Sequence, residues 1–147
     1  MIKNRKSFIV GLRGTHLNKK EIIFLKKHKP WGLILFSRNV KSIKQVKKLT
    51  LSIRKIFRDK NYPIMIDQEG GRVSRIDKII NATTFSGEYY SLKYKKNKKN
   101  ISRLINIYTE QISYLLREIG VNINTSPVLD VRHKSANLII GDRSFST

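Results

Sequence analysis

Short apolar runs alternate with amphipathic stretches along the first half of the chain. The runs are Ser7 to Leu12, Gly32 to Phe36 and Pro63 to Ile66. Runs this short, bounded by polar or glycine residues, indicate strands that are buried on both faces. The pattern therefore predicts three buried strands.

Two helices are predicted between these strands. Asn18 with Glu21, and Ser42 with Gln45, have the spacing of a capping box, in which side chains satisfy backbone N–H groups of the first turn. The first helix is expected over Asn18 to Lys27. The second has one apolar face, formed by Ile43, Val46, Thr50, Ile53 and Phe57.

The second half of the chain contains the longest periodic stretch. Apolar residues recur at helical spacing from Ile101 to Ile119, and Gly120 follows where a helix is expected to stop. The lysine-rich segment from Lys93 to Asn100 is predicted to be a solvated connection. Val121 to Val131 is a fourth strand-like region, which Pro127 is expected to interrupt.

The order of these elements predicts the fold class. Strands and helices alternate as βαβαβ, and a long loop, a helix and a fourth strand follow. Apolar strands that alternate with helices are typical of an α/β fold with a parallel sheet covered on both faces. The 147 residues suffice for one such domain and are too few for two.

The chain is strongly basic, with 31 Lys and Arg against 10 Asp and Glu, a net charge of +21. Such a charge is expected of nucleic-acid-binding proteins. The lysines are nevertheless spread over nearly every segment, and no zinc-finger, basic-zipper or ribonucleoprotein motif accompanies them. We favour a lysine-rich surface, and a basic nucleic-acid-binding module stays the alternative from a different class.

The sequence lacks the residues that several kinds of chemistry require. The chain has no cysteine, which excludes disulfide bonds and cysteine-based metal sites. His16, His28 and His133 lack metal-ligand spacing and are predicted to be surface or structural residues. No apolar run approaches the roughly 20 residues of a membrane-spanning helix, and no signal peptide is evident. We expect a cytoplasmic protein that uses no metal or cofactor and does not bind membranes.

Carboxylates follow the predicted strands. Asp67 and Glu69 come after the third strand, Asp130 lies near the end of the fourth, and Asp142 lies beyond it. Ligands of parallel sheets and (β/α) barrels bind outside the carboxyl ends of the strands. Acids next to arginines therefore recur on the edge where chemistry is expected, although each group alone also fits a loop ion pair.

Four segments carry a resemblance to a known family. They are Gly32 to Asn39, Ile66 to Arg75, Pro127 to Val131 and Ile140 to Phe145. Together they resemble the N-terminal part of glycoside hydrolase family 3 β-N-acetylhexosaminidases, of the cytoplasmic type used in cell-wall recycling. The resemblance spans roughly Phe8 to the last residue.

The resemblance implies a (β/α)8 barrel, of which residues 1–147 form about the first four β/α units, an incomplete part of one catalytic domain. It implies removal of non-reducing terminal N-acetylglucosamine from peptidoglycan fragments. Asp67, Arg75 and Arg143 match the family's sugar-binding residues. Carboxylates accept hydroxyl hydrogens and guanidinium groups donate to hydroxyl oxygens, so these residue types suit a sugar. The remaining acids are expected to orient these groups, namely Glu69, Asp130 and Asp142.

The family's acid/base histidine and aspartate nucleophile lie further along the chain than Thr147, so no catalytic residue is expected here. His133 is outside the family's histidine motif. A partial barrel leaves open sheet edges, and the isolated chain is therefore expected to be inactive and marginally folded or aggregation-prone. A family 3 β-glucosidase-like hydrolase and a non-catalytic relic are the alternatives within this fold.

Overall fold

A four-stranded parallel sheet organises residues 4–133 and 137–146, the part of the chain that the computed structural model describes. The strands are β1 (Lys6–Gly11), β2 (Pro30–Leu35), β3 (Ile64–Ile66) and β4 (Ile123–Asn124), and they lie side by side in chain order. All three pairings are parallel. The predicted α/β class and parallel sheet are confirmed.

The described residues form four α-helices that connect or flank the strands: α1 (Lys19–His28), α2 (Ile43–Phe57), α3 (Gly87–Lys96) and α4 (Lys98–Glu118). The capping box at Asn18 is formed, since its side chain accepts from the Glu21 N–H at 2.9 Å and the Glu21 carboxylate accepts from the Asn18 N–H at 2.9 Å. No helix within the described ranges is both long and apolar enough to cross a membrane.

Three predictions about single elements are wrong in part, although residues 93–100 are exposed as predicted and a fourth strand forms. The lysine-rich segment is helical, because α3 starts at a Ser86 cap, buries Tyr90 and turns its lysines outward; α4 then begins at Lys98. Residues of β1 are exposed or half-buried, because this strand has a neighbour on one side only. The fourth strand is reduced to Ile123–Asn124.

The apolar core lies between the sheet and helices α2 and α4. The predicted face of α2 is buried at Val46, Thr50 and Ile53, and Ile112 and Leu116 of α4 belong to the same cluster. Side chains of β2 and β3 complete this core, which fixes the positions where the strands end.

Candidate functional site

The loop after β3 places a carboxylate beside an arginine. Oδ2 of Asp67 lies 3.5 Å from Nη2 of Arg75, and about a quarter of each side chain is exposed. The other oxygen, Oδ1, accepts a hydrogen bond from the Thr125 hydroxyl at the end of β4. Asp67 is therefore held between two loops at the carboxyl ends of neighbouring strands.

A tight turn at Gly70 brings Arg75 back toward Asp67. The Glu69 N–H donates to the Val73 carbonyl at 3.0 Å, and the Val73 N–H donates to the Gly70 carbonyl at 3.3 Å. Gly70 has φ +90°, and a Cβ atom there would lie 2.2 Å from the carbonyl oxygen of Phe85. Only glycine fits this position, since other residues rarely adopt such a φ and a Cβ would collide.

The second arginine of the site is held by a glutamate. Arg143 donates from Nε and Nη2 to the two oxygens of Glu69 at 2.8 and 2.7 Å, a bidentate pair. This hydrogen bonding raises the pKa of Arg143 above its ordinary value. The negative charges of Glu69, Asp130 and Asp67 also raise it, whereas burial lowers it. Because Glu69 follows Asp67 by two positions, this pair places Arg143 on the same rim as Asp67 and Arg75.

A second ion pair fastens the segment that carries Arg143. Nε of Arg72 lies 2.7 Å from Oδ1 of Asp142, and Nη2 of Arg72 also donates to the carbonyls of Leu138, Ile139 and Ile140. Residues 137–146 are therefore fixed against the loop after β3 at two points.

Both site arginines keep hydrogen-bond donors for a ligand. A guanidinium has five N–H donors. Arg143 uses two for Glu69 and a third for the Ile139 carbonyl at 3.3 Å. The Arg75 guanidinium makes one side-chain hydrogen bond among the described residues, the 3.5 Å contact with Asp67, and it lies over the Phe36 ring, 5.7 Å from the ring centroid. An oxygen-rich ligand would satisfy these donors.

The structure brings the predicted residues to one rim through two separate ion pairs. Asp67 and Arg75 are in contact, whereas Arg143 is paired with Glu69 and not with Asp67. Glu69 orients Arg143, as predicted for this acid. Asp142 holds Arg72, an arginine outside the predicted set. The Asp130 backbone carbonyl accepts from the Ser144 hydroxyl at 2.7 Å.

Three residues of the site were missed in the sequence, namely Gln68, Asn124 and Thr125. Gln68 is 2 % exposed, and its amide contacts the turn that carries Arg75. The buried residues Ile64 and Ile66 precede it at alternate positions, so the two-residue period of β3 runs on to Gln68. That period is a signal for an inward-pointing amide.

A cavity of about 500 Å³ lies beside this rim, between α4 and the segment after β4. Glu69 and Asn124 line it on the rim side, and Tyr90 and Ile112 line it on the helix side. Burial raises the pKa of the Tyr90 hydroxyl, which has no hydrogen-bond partner among the described residues.

The three histidines lie outside the rim, as predicted. His16 and His133 are exposed, and His28 packs against Phe24 in the last turn of α1, with ring centroids 4.6 Å apart. Within residues 4–133 and 137–146, no group of three or more His, Asp or Glu side chains is placed to hold a metal ion.

The parallel sheet, its crossover helices and the acid–arginine rim at the strand ends define part of a (β/α)8 barrel. The chain belongs to glycosyl hydrolase family 3, because the model of the family's N-terminal domain matches residues 7–147. The family resemblance seen in the sequence is thereby confirmed.

Curated relatives agree with this family assignment. The chain is similar to the β-hexosaminidase of Xanthomonas euvesicatoria pv. vesicatoria (strain 85-10), with 29 % identity over 94 % of this chain and 40 % of that protein. It is 31 % identical to the β-hexosaminidase of Thioalkalivibrio sulfidiphilus (strain HL-EbGR7), over 93 % of this chain and 39 % of that protein. The chain thus spans about two fifths of the length of these curated relatives.

A solved structure shares the fold. NagZ from Neisseria gonorrhoeae, crystallised in complex with N-trifluoroacetyl-D-glucosamine, superimposes with a TM-score of 0.82 at 26 % identity. The match covers 97 % of this chain and 41 % of that one. The partial (β/α)8 barrel predicted from the sequence is therefore confirmed.

Proposed function

We propose that this chain forms part of the sugar site of a family 3 β-N-acetylhexosaminidase that removes non-reducing terminal N-acetylglucosamine from peptidoglycan fragments. The observation that carries the proposal is that the loop after β3 holds both arginines at one edge of the sheet, Arg75 beside Asp67 and Arg143 beside Glu69. The curated relatives are named β-hexosaminidases, and the NagZ neighbour binds a glucosamine derivative. These names favour an N-acetylhexosamine over glucose as the substrate, and the cytoplasmic location implied by the family stays a prediction.

The charge balance of the rim suits an uncharged ligand. The chain as a whole carries +21, yet the rim pairs three arginines with three acids. Arg72, Arg75 and Arg143 each contact one carboxylate. A nucleic acid binds mainly through cations that are free to neutralise phosphates. A polyhydroxylated ring instead needs donors and acceptors side by side, which this rim provides.

The residues of this chain bind and orient the sugar in this proposal. The Asp67 carboxylate accepts hydrogen bonds from Thr125 and Arg75 and has further lone pairs for ring hydroxyls. Arg75 and Arg143 donate to sugar oxygens. Cleavage with retention needs an acid/base and a nucleophile in addition. We assign neither role to a residue of this chain, and the purified 147-residue polypeptide is expected not to hydrolyse an aryl N-acetylglucosaminide.

The experiment is an NMR titration of the chain with N-acetylglucosamine, with glucose as the competing sugar. Saturable shifts of the Arg75 and Arg143 side-chain Nε–H resonances are expected with N-acetylglucosamine. Asp67→Asn, which removes the acceptor charge, is expected to weaken binding at least tenfold. The matched control is Asp59→Asn, since Asp59 is also paired with an arginine but lies among the residues that connect α2 to β3.

Equal loss of affinity in Asp67→Asn and Asp59→Asn would contradict the site assignment. Stronger binding of glucose would favour the β-glucosidase-like alternative. A DNA or RNA affinity that falls steeply with salt, together with no sugar response, would favour the nucleic-acid-binding alternative.

A further inference from the structure

Gln68 lies between two acids in the sequence, yet its side chain is almost fully buried, with 2 % exposed. Its Oε1 accepts from the backbone N–H of Arg75 at 2.8 Å and from that of Ile76 at 3.3 Å. Its Nε2 donates to the Ser74 hydroxyl at 3.0 Å. The amide oxygen and the amide nitrogen of Gln68 therefore both hold residues 74–76.

The backbone of Gln68 is held from the other side by Asn124. The Gln68 N–H donates to Oδ1 of Asn124 at 3.0 Å, and Nδ2 of Asn124 donates to the Gln68 carbonyl at 3.1 Å. This reciprocal pair continues the β3–β4 pairing beyond Ile66. One residue thus links the ends of two strands to the turn that carries Arg75.

The side chain of Arg75 fixes its own position poorly. Its contact with Asp67 is 3.5 Å long, at the outer limit of a hydrogen bond, and its Nε has no partner among the described residues. Arg143, in contrast, is oriented by two bonds of 2.8 and 2.7 Å to Glu69. Apart from the Phe36 ring, whose centroid lies 5.7 Å from the guanidinium, the location of Arg75 is therefore set by its backbone, whose N–H makes the short bond to Gln68.

We propose that Gln68 is a positioning residue, which sets the separation between the Asp67 carboxylate and the Arg75 guanidinium through the backbone of residues 74–76. The consequence for sugar affinity rests on the proposed function, whereas the placement of Arg75 can be measured without any ligand. Gln68 itself does not touch the sugar in this proposal.

Gln68→Met tests the proposal, because methionine has a similar length and neither accepts nor donates strongly. The Nε–H resonance of Arg75 is expected to shift in the ligand-free chain, while that of Arg143 stays in place as an internal reference. The dissociation constant for N-acetylglucosamine is expected to rise at least tenfold.

Gln45→Met is the matched control. The Gln45 amide also holds loops, through bonds of 2.6 Å to the Thr15 carbonyl, 3.1 Å to the Asn39 carbonyl and 2.8 Å from the Lys41 N–H, but it lies at the start of α2. The Gln45→Met substitution is expected to destabilise the chain without moving the Arg75 resonance. An unmoved Arg75 resonance in Gln68→Met, or an equal shift in Gln45→Met, would overturn the proposal.

Gln68→Asn decides the matter if Gln68→Met does not fold. It keeps the amide but withdraws it by about 1.5 Å, the length of one carbon–carbon bond. The Arg75 resonance is expected to move and that of Arg143 to stay; no movement would overturn the proposal. If the wild-type chain does not bind N-acetylglucosamine, the proposed function is contradicted. The Arg75 resonance of the ligand-free chain would still test the role of Gln68.

Discussion

Two regions of the molecule are stabilised in different ways. Of the twelve largest fully buried side chains, nine lie in residues 4–66, which we call the scaffold half, and three lie in residues 67–133 and 137–146, the site half. One of those three is the polar Gln68. Four of the six ion pairs between described residues lie within the site half. Apolar burial thus dominates in the scaffold half, whereas directional polar contacts shape the site half.

The difference has a physical reason. Burial of apolar surface stabilises a chain without prescribing the orientation of any one group, so it suits a scaffold. A ligand site needs donors and acceptors at fixed positions, which hydrogen bonds and bidentate ion pairs provide. The most exposed apolar side chains of the site half are Leu129 and Leu138, at 86 % and 80 %, so little apolar burial supports the segment after β4.

The largest expected effect comes from one substitution made in both halves. Leu35 of β2 is fully buried, whereas Leu129 is 86 % exposed. Leu35→Ala is expected to lower the free energy of unfolding by about 3 kcal/mol, since it removes buried methyl groups and leaves a cavity. Leu129→Ala is expected to change it by less than about 0.5 kcal/mol. Urea unfolding followed by Trp31 fluorescence measures both, and similar losses would contradict the contrast between the halves.

A smaller loss is expected where the two halves pack together at Gly120, which follows α4 in the site half and lies against α2 of the scaffold half. Its φ is +81°, and a Cβ atom would lie 2.4 Å from Oγ1 of Thr50 in α2. Gly120→Ala is therefore expected to lower the free energy of unfolding by about 2 kcal/mol, from the left-handed backbone and the collision together.

Gly14→Ala is the control for Gly120→Ala. A Cβ atom at Gly14 meets nothing within 4 Å, and its φ lies outside the left-handed range. The free energy of unfolding of Gly14→Ala is expected to stay close to that of the wild type. Equal losses in the two variants would mean that Gly120 does not constrain the packing of α4 on α2.

The sequence predicts the scaffold half more completely than the site half. Helices α1 and α2 were anticipated because their caps and apolar faces are local patterns. Helix α3 was missed because its lysines suggest a solvated loop, and only the burial of Tyr90 reveals the inner face. The pairing of Arg143 with Glu69 joins residues 74 positions apart. No local pattern encodes such a pair, so the choice of partner emerged only from the structure.

The smallest effect is expected from the ion pair of the scaffold half, between Arg5 and Asp59. The Arg5 guanidinium also lies over the Tyr62 ring, 4.6 Å from its centroid. The hydrogen bond from Arg5, with a second from the Asn61 N–H, lowers the pKa of Asp59 below its ordinary value. If burial dominates this half, Asp59→Asn should lower the free energy of unfolding at neutral pH by no more than about 1 kcal/mol, the usual value of a partly exposed pair.

The sign of the pH dependence follows from that lowered pKa. Asp59 is more acidic in the folded chain than in the unfolded one, so its contribution is present above the unfolded pKa and is lost as the pH falls through the folded pKa. The difference between wild type and Asp59→Asn should therefore be constant near neutral pH and disappear in acid. Urea unfolding at several pH values measures it. A difference larger than that of Leu35→Ala, or one that persists in acid, would show that the scaffold half also depends on polar contacts.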